Sequence, residues 1–405
     1  MKKVLIFAVG LLMLMSLSSF ASQTRTMVMG NNDMIMVDDG NIFRFPGRVN
    51  NYPNLALGEF DYNYGNEFYD FGVTWQFNDD NPWVLGTFVS TQPEFGPENF
   101  WGTHIADFNA APWDEPRRFQ LLYGRQLAGQ SFGFGLEAVR YGYEYEDTTF
   151  TEKESFSQYT FTFGFTEATS GQWDVALLFM TGSWTNEEDG DKISEPKGFS
   201  DIGLAARYFM VRNPKVTMVP HFRVMKSKHG VEHFQGTPTD ATDDRIREWS
   251  STMFELGVGF NYTPAPNVLA VFDIGLQYDK VTEDRSGGYY AADEQGEFTD
   301  SWTTVPYFRI GFEGEVFGWM DIRAGATGEI WSSKYTYEDK VGVTSKETYD
   351  DGDPDTYFGF GFHWGRLFLD TYTDPELLLD GFNFISGSTD AEDMNWNVSL
   401  TYEMF

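Results

Sequence analysis

Large apolar side chains alternate with small or polar ones in many short segments of the chain. Clear examples are 159–165 and 358–364, where aromatic residues occupy every second position. Because successive side chains of a β-strand point to opposite faces, each segment has one aromatic face and one small or polar face. The pattern predicts strands at 55–63, 69–77, 83–91, 118–127, 131–145, 156–166, 173–185, 199–212, 215–227, 249–262, 268–281, 301–316, 319–331, 356–366, 367–373 and 395–405.

The connections between these segments alternate between short and long. Short turns containing Gly, Pro or Asn, such as 128–130 and 213–214, alternate with long links such as 92–117, 227–248 and 332–355. Outer-membrane barrels have short periplasmic turns and long extracellular loops, whereas a soluble β-sandwich gives no reason for this alternation. We therefore predict an all-β protein, an antiparallel transmembrane β-barrel of about sixteen strands, with fourteen as the alternative.

Charged residues indicate which face of the predicted strands is turned inward. They fall repeatedly on the non-aromatic face in mid-strand, and an Arg or Lys facing lipid at the midplane costs about 2–4 kcal/mol. The non-aromatic face must then line the lumen. The candidate lumen-lining residues are Arg207, Arg223, Arg309, Arg323, Glu255, Asp273, Glu313 and Asp321. They form either an ion-paired network that stiffens the interior or a constriction that selects a charged or amphipathic solute.

The N-terminal residues have the pattern of an export signal. Lys2 and Lys3 precede an apolar run at 4–15, and Ser19 and Ala21 stand at the −3 and −1 positions of a cleavage site. We predict a signal peptide at 1–21 and a barrel at 54–405. The segment between them, 22–53, lacks alternation and is long enough to enter the lumen, so it is predicted to form a hatch or plug.

The composition of the chain argues against several classes of function. The 28 Lys and Arg against 61 Asp and Glu give a formal charge of −33, which argues against a nucleic-acid partner. The chain has five His and no Cys, and no Ser lies in a nucleophile-elbow pattern, so we do not expect an enzyme. The acidic loops are expected to hold Mg²⁺ or Ca²⁺ loosely, without a dedicated cofactor.

Two motifs resemble metal sites without meeting their requirements. The stretch 229–233 has two His residues four positions apart, but it lies in a predicted long loop without a helical scaffold. The stretch 351–355 has the alternate carboxylates of a calcium loop, but Phe362 stands where the bidentate Glu is needed. We predict no metal site at either position.

Two prolines interrupt the predicted strands. The sequence Val-Pro-His-Phe-Arg at 219–223 is echoed by Val-Pro-Tyr-Phe-Arg at 305–309. A proline removes a hydrogen bond from the ladder, and a closed barrel has no edge to accommodate that loss. Pro220 and Pro306 are therefore candidates for a lateral opening of the wall, the alternative being a position near the membrane rim or at a bulge.

Several N-terminal motifs resemble a known barrel superfamily. This superfamily includes long-chain fatty-acid transporters and type IX secretion-associated barrels. Its Met-Gly turn resembles 25–30, its acidic pair resembles 38–39, and its Asn-Pro-Ala signature resembles 41–47. Phe-Pro-Gly replaces Asn-Pro-Ala in this chain. The stretches 367–370 and 381–387 also resemble this group. The resemblance implies an N-terminal hatch inside the barrel, with hydrophobic-solute uptake as one known role.

These observations favour passive transport of small, apolar or amphipathic solutes across the outer membrane of a Gram-negative bacterium. An open general porin and a non-conducting structural or secretion-associated barrel remain alternatives. The expected partners are outer-membrane lipid and lipopolysaccharide, the barrel assembly machinery and a small-molecule solute. Recognition by the assembly machinery is expected from the last segment, where Trp396, Leu400 and Tyr402 share one face and the chain finishes on Phe405.

Overall fold

The chain folds into a closed antiparallel β-barrel with its N-terminal segment inside. The computed structural model describes residues 23–63, 66–78, 82–90, 117–146, 151–167, 172–189, 191–234, 245–287, 295–339, 344–373 and 396–404. The predicted signal peptide and Phe405 lie outside these residues. Within the described part of the chain, no helix is both long and apolar enough to cross a membrane.

The barrel wall consists of strands that each pair with the next one along the chain. They are β1 (Leu55–Asn63), β2 (Asn66–Phe77), β3 (Trp83–Ser90), β4 (Arg117–Leu127), β5 (Gln130–Glu146), β6 (Thr151–Glu167), β7 (Trp173–Glu188), β8 (Asp191–Tyr208), β9 (Met210–Asn213), β10 (Val216–His233), β11 (Arg245–Ala265), β12 (Val268–Ser286), β13 (Gly296–Phe317), β14 (Met320–Asp339), β15 (Thr344–Trp364), β16 (Leu367–Thr373) and β17 (Trp396–Glu403). Because β8 and β9 both pair with β10 and are separated only by Phe209, they count as one position. The predicted sixteen-stranded barrel is confirmed.

Pairing between β17 and β1 closes the barrel, with Leu55 opposite Glu403 and Tyr62 opposite Trp396. The even number of positions brings the beginning of β1 and the end of β17 to the same end of the barrel. Tight turns at 128–129, 214–215, 266–267, 318–319 and 365–366 lie at this end. We assign it to the periplasm, because short turns are typical of that side.

At the opposite end the strands are longer than predicted. The links 146–155, 186–198, 227–248, 282–300 and 332–355 were expected to be loops, but the structure extends strands into all of them. The expectation that 229–233 lies in a loop is therefore wrong, since β10 continues to His233. Beyond the membrane both faces of a hairpin contact water, so the contrast between apolar and polar positions disappears while backbone pairing continues.

In the half of the barrel next to the periplasmic turns, the outer face of the wall is apolar and the charged face points inward, as predicted from the charges. Leu256 and Phe312 are 47% and 48% exposed on the outside, whereas Glu255 and Arg323 are fully buried on the inside. A closed barrel satisfies every backbone polar group of its wall and can present an apolar band to lipid. We conclude that the protein lies in the outer membrane of a Gram-negative bacterium.

The N-terminal segment is compact and largely irregular. It contains the helices α1 (Gln23–Val28) and α2 (Asn41–Arg44) and the 3₁₀-helix η1 (Pro46–Asn51), which leads through Asn54 into β1. Many of its apolar side chains, including Met29, Ile35 and Phe45, are fully buried and join one hydrophobic cluster with inward-facing residues of the wall. We call residues 23–54 the plug.

Candidate functional site

The interface between the plug and the inner wall is the candidate functional site. It contains wall glycines against which the plug backbone packs, two ion-pair networks and an apolar contact surface. Any solute that crossed the barrel would have to pass or displace this interface.

Glycines of the wall allow the plug backbone to approach closely at two places. A Cβ added at Gly311, Gly325 or Gly359, on β13 to β15, would collide with the backbone or side chains of 28–30. A Cβ added at Gly133 or Gly164, on β5 and β6, would collide with the backbone of Pro46 and Gly47. We call these the α1 seat and the η1 seat.

The two seats lie on opposite sides of the barrel. Following the pairing from strand to strand, β5 and β14 are eight positions apart in a ring of sixteen. The plug is therefore supported by walls that face each other. Between the seats it contacts β11, where Ile35 packs on Gly259 and Asn261 Nδ2 donates a hydrogen bond of 2.8 Å to the Ile35 carbonyl.

An ion-pair network fastens the α1 seat. Arg25 of the plug binds Glu313 of β13 through two nitrogens, with Nε–Oε2 and Nη2–Oε1 distances of 2.6 and 2.8 Å. Glu313 also accepts a 2.6 Å hydrogen bond from Arg323 Nε, and Arg323 pairs further with Asp370 and with Asp321. Two arginines thus share one carboxylate between the plug and the wall.

A second network fastens the η1 seat. Arg48 of the plug binds both oxygens of Asp174 at 2.8 Å, and Arg207 of β8 donates to the same carboxylate at 2.7 Å. The remaining nitrogens of Arg207 donate to the plug, at 2.7 Å to the Met36 carbonyl and 2.6 Å to Asn41 Oδ1. Arg207 is therefore satisfied by the wall and the plug together.

A third group of charges belongs mainly to the wall. Glu255 Oε2 lies 2.6 Å from Arg223 Nη2, and Glu255 Oε1 lies 3.2 Å from Arg309 Nη1. Tyr307 donates a 3.1 Å hydrogen bond to the same carboxylate, and Asp273 pairs with His221 at 3.0 Å. These groups neutralise one another on the inner face of β10 to β13.

The structure places all eight predicted lumen-lining residues on the inner face and divides them among the three groups. Arg323, Glu313 and Asp321 belong to the α1 seat, and Arg207 belongs to the η1 seat. Arg223, Arg309, Glu255 and Asp273 form the third group. Six of these eight side chains are at least nine-tenths buried, so the described arrangement is an ion-paired network.

Sequence reasoning missed the residues that join the plug to this network. Arg25, Arg48 and Asp174 carry the contacts between plug and wall, and none of them stood out as a candidate. A signal was present for two of them, since Arg25 and Arg48 are basic residues in an irregular segment of a strongly acidic protein. Pairing them with a particular strand required the three-dimensional structure.

Asp38 and Asp39 of the plug are adjacent and buried, and within the described part of the chain neither forms an ion pair at contact distance. Asp38 Oδ1 accepts a 3.1 Å hydrogen bond from the Asn41 backbone, and burial raises the pKa of Asp38 to about 7. Burial, together with the nearby Asp38, Asp370 and Glu59, holds the pKa of Asp39 well above its ordinary value. Seating of the plug therefore favours protonation of this pair.

The two prolines occupy different kinds of irregularity. Pro220 keeps its pairing with Val258 of β11, but on its other side the wall is interrupted at Phe209, between β8 and β9. Pro306 lies in a bulge, where β13 carries one extra residue against both β12 and β14. Whether either position opens laterally stays a prediction, and Pro306 occupies the bulge that was the alternative.

The two stretches that resemble metal sites both lie within strands. His229 lies on the inner face of β10, where its Nε2 is 2.7 Å from Asp201 Oδ1. The stretch 351–355 lies within β15 and pairs with β14, so it is a strand and no calcium loop. Across the described part of the chain, no group of three or more His, Asp or Glu residues is arranged to hold a metal ion.

No protein-family model and no curated protein matches the chain. Among solved structures it is similar to the toluene transporter TodX of Pseudomonas putida, with a TM-score of 0.40 and 10% identity, covering 95% of this chain and 98% of that one. It is also similar to the CymD monoaromatic hydrocarbon channel, with a TM-score of 0.37 and 8% identity over 93% and 96% of the two chains. CdiB from Escherichia coli gives a TM-score of 0.38 and 9% identity over 86% of this chain, which spans 62% of CdiB.

Proposed function

We propose that the protein is a plugged outer-membrane channel that passes small, apolar or amphipathic solutes passively when its plug shifts. The proposal combines a transport barrel with a segment that is held in the lumen at separate points, by ion pairs and by wall side chains that donate hydrogen bonds to its carbonyl groups. Because the plug belongs to no strand of the wall, it can move without breaking the barrel.

The observation that carries the solute class is the apolar surface shared by the plug and the wall. Phe43 of the plug packs edge-on against Phe88 of β3, with ring centroids 5.0 Å apart. The wall side of this cluster also includes Leu122, Leu178 and Met180, all inward-facing and buried. An open porin lines its lumen with polar groups, whereas a shift of this plug would expose an apolar surface to a solute.

Methionines make the apolar surface adaptable. Met29, Met34 and Met36 of the plug share the cluster with Met180, Met225 and Met253 of the wall. Unbranched thioether side chains fill irregular gaps and repack at low cost, which is why they are common at surfaces that accept varied apolar partners. A plug packed in this way can leave and return because its packing does not depend on one exact fit of side chains.

Planar-bilayer conductance of the purified protein, with and without residues 23–53, tests the proposal. We expect the full-length protein to be closed most of the time and the deletion variant to give large, stable conductance steps. Large steps from the full-length protein would favour the open-porin alternative. Silence from a correctly folded deletion variant would favour a structural or secretion-associated role.

A further inference from the structure

The inner wall on the extracellular side of the plug carries alternating rings and carboxylates. The bulge at 305–306 marks its lower edge, and from there β12 to β15 continue toward the hairpin ends. Strand register places Trp302 between Asp279 and Ser333, Trp331 between Thr304 and Asp351, and Tyr335 between Asp300 and Glu347. We call this surface the aromatic–acidic wall.

Parity along β14 shows that this surface faces the interior. Arg323 and Gly325, which belong to the α1 seat, have the same parity as Trp331 and Tyr335 in a strand whose register with β15 is continuous. Ile330, of opposite parity, is 60% exposed on the outside. The rings therefore point into the barrel above the plug.

The rings of this wall are accessible. Trp302, Trp331 and Tyr335 are half-buried, and Tyr349 of β15 is 56% exposed. The contacts of the plug with the same strands lie at Gly311, Gly325 and Gly359, nearer to the periplasmic turns. A solute arriving from outside would meet these rings before it reached the plug.

The charge of this wall is negative throughout. Its inward-facing carboxylates are Asp279, Asp300, Glu329, Glu347 and Asp351, and register places each beside or two residues from a ring. Arg285 lies at the upper edge of this surface and Arg309 at its lower edge. Between these two levels of the barrel, no Lys or Arg of the described parts of β12 to β15 faces inward. Arg285 pairs with Glu283 at the upper edge and Arg309 with Glu255 at the lower edge.

We propose that the aromatic–acidic wall binds an organic cation, an ammonium group that carries methyl or other apolar substituents. Aromatic faces attract such a cation through their quadrupoles, and adjacent carboxylates supply the opposite charge. A neutral solute gains nothing from the carboxylates, and an anion is repelled by them. The proposal names a solute class for the passage proposed above, but binding depends on the wall alone, and only the role of the cation as cargo rests on the proposed function.

Calorimetric titration of the purified full-length protein with choline, and with its uncharged isostere 3,3-dimethyl-1-butanol, tests the proposal. We expect choline to bind at least about tenfold more tightly than the isostere, and Trp331→Leu or Trp302→Leu to weaken choline binding about three- to tenfold. The control for the ring is Trp364→Leu, because Trp364 is 52% exposed at the opposite end of the barrel. We expect this control to bind choline like the wild type.

A second pair of variants tests the charge. Glu329→Gln removes an inward-facing carboxylate of β14, whereas Glu338→Gln removes an outward-facing one of the same strand. We expect only Glu329→Gln to weaken choline binding. Heat-modifiable mobility in gels, which reports a folded barrel, is checked for every variant.

Equal binding of choline and its isostere would overturn the proposal. So would an undiminished affinity in both tryptophan variants, or complete competition by millimolar Mg²⁺, which would show an adventitious cation held by carboxylates only. Choline binding without solute flux would support the proposed binding surface and refute the proposed transport. Flux of neutral apolar solutes without choline binding would support the proposed transport and refute the proposed binding surface.

Discussion

At the scale of single residues, the plug is held by carboxylates that each serve one arginine of the plug and one of the wall. Glu313 does this for Arg25 and Arg323, and Asp174 does it for Arg48 and Arg207. Without Arg48, Arg207 still neutralises Asp174, but without Arg25 the single Arg323 faces Glu313 together with Asp321 and Asp370. The η1 seat would therefore stay charge-compensated without the plug, whereas the α1 seat would gain net negative charge.

Replacing Arg48 with Ala tests this arrangement. Loss of one partner from a buried ion pair costs about 3–5 kcal/mol when a charge is left unpaired, but here Arg207 still neutralises Asp174, so we expect a smaller cost confined to plug seating. Arg48→Ala should raise the open probability in planar bilayers at least severalfold, with little change in barrel unfolding temperature. Lys153→Ala, which removes a largely exposed pair with Glu144, is the control and should change neither. An Arg48→Ala channel as silent as the wild type would contradict the assigned role.

The buried pair Asp38 and Asp39 makes plug seating dependent on pH. The pKa of Asp38 is about 7 in the seated plug against an ordinary value of 3.8, so the seated state binds the proton more tightly than a solvated plug does. Seating is then most stable below about pH 4 and loses up to about 1.4 kcal/mol per pH unit per group as the pH rises toward 7.

We therefore expect open probability to increase between pH 4 and 7, as measured in bilayers at constant salt. The double substitution Asp38→Asn and Asp39→Asn should reduce this slope, because the amides cannot titrate. If the double variant keeps the full pH response, another group controls it. An open probability that falls as the pH rises would reverse the sign and contradict the role of burial.

At the scale of elements, glycines decide where the plug can rest. Gly133 and Gly164 are opposite each other on β5 and β6 and receive the Pro46–Gly47 backbone of η1. A side chain at either position would fill the space that the plug backbone occupies. The same β-strand would tolerate that side chain once the plug was displaced, since a branched residue suits a strand.

Gly133→Val should therefore unseat η1 while the wall stays intact. We expect frequent or continuous conductance steps from this variant in bilayers. Gly142→Val is the matched control on the same strand, because a Cβ at Gly142 meets no atom within 4 Å. Equal conductance of the two variants would show that the η1 seat does not close the channel.

Sequence patterns predicted the strands within the membrane well and their extracellular extensions poorly. In 249–262 the apolar and polar faces contrast because one faces lipid and the other the interior. In 344–355 both faces are polar, so no period of two is visible, although β15 pairs with β14 throughout. These strands are extended by hydrogen bonds between backbone groups. Such bonds do not depend on residue type, so the sequence does not show them.

The candidate site was predictable in part. Alternation assigned Arg207, Arg323 and Glu313 to the inner face, because a strand has only two faces. It could not show that Arg25 and Arg48 bind them, since the plug has no periodicity that would orient its side chains. The partners of Arg323 illustrate the limit, because Asp370 lies 47 residues away in the chain.

At the scale of the whole molecule, the plug reaches two facing walls and divides the lumen. Below it lie the periplasmic turns, and above it lies the inner surface of the extended strands, including the aromatic–acidic wall. The sixteen-stranded wall is continuous by backbone pairing, whereas the plug is joined to it through side chains, close contacts and the connection at Asn54. The plug can therefore move without breaking the backbone pairing of the wall.

A reversible lock on the plug tests this account most directly. Val49 of η1 adjoins Gly124 of β4, and the chain contains no cysteine, so Val49→Cys with Gly124→Cys gives one defined cross-link. In planar bilayers we predict that the oxidised protein is closed and that reduction of the disulfide restores openings, while each single variant is insensitive to reductant. Openings of equal size and frequency before and after reduction would show that solutes pass without plug movement, and would contradict the proposed function.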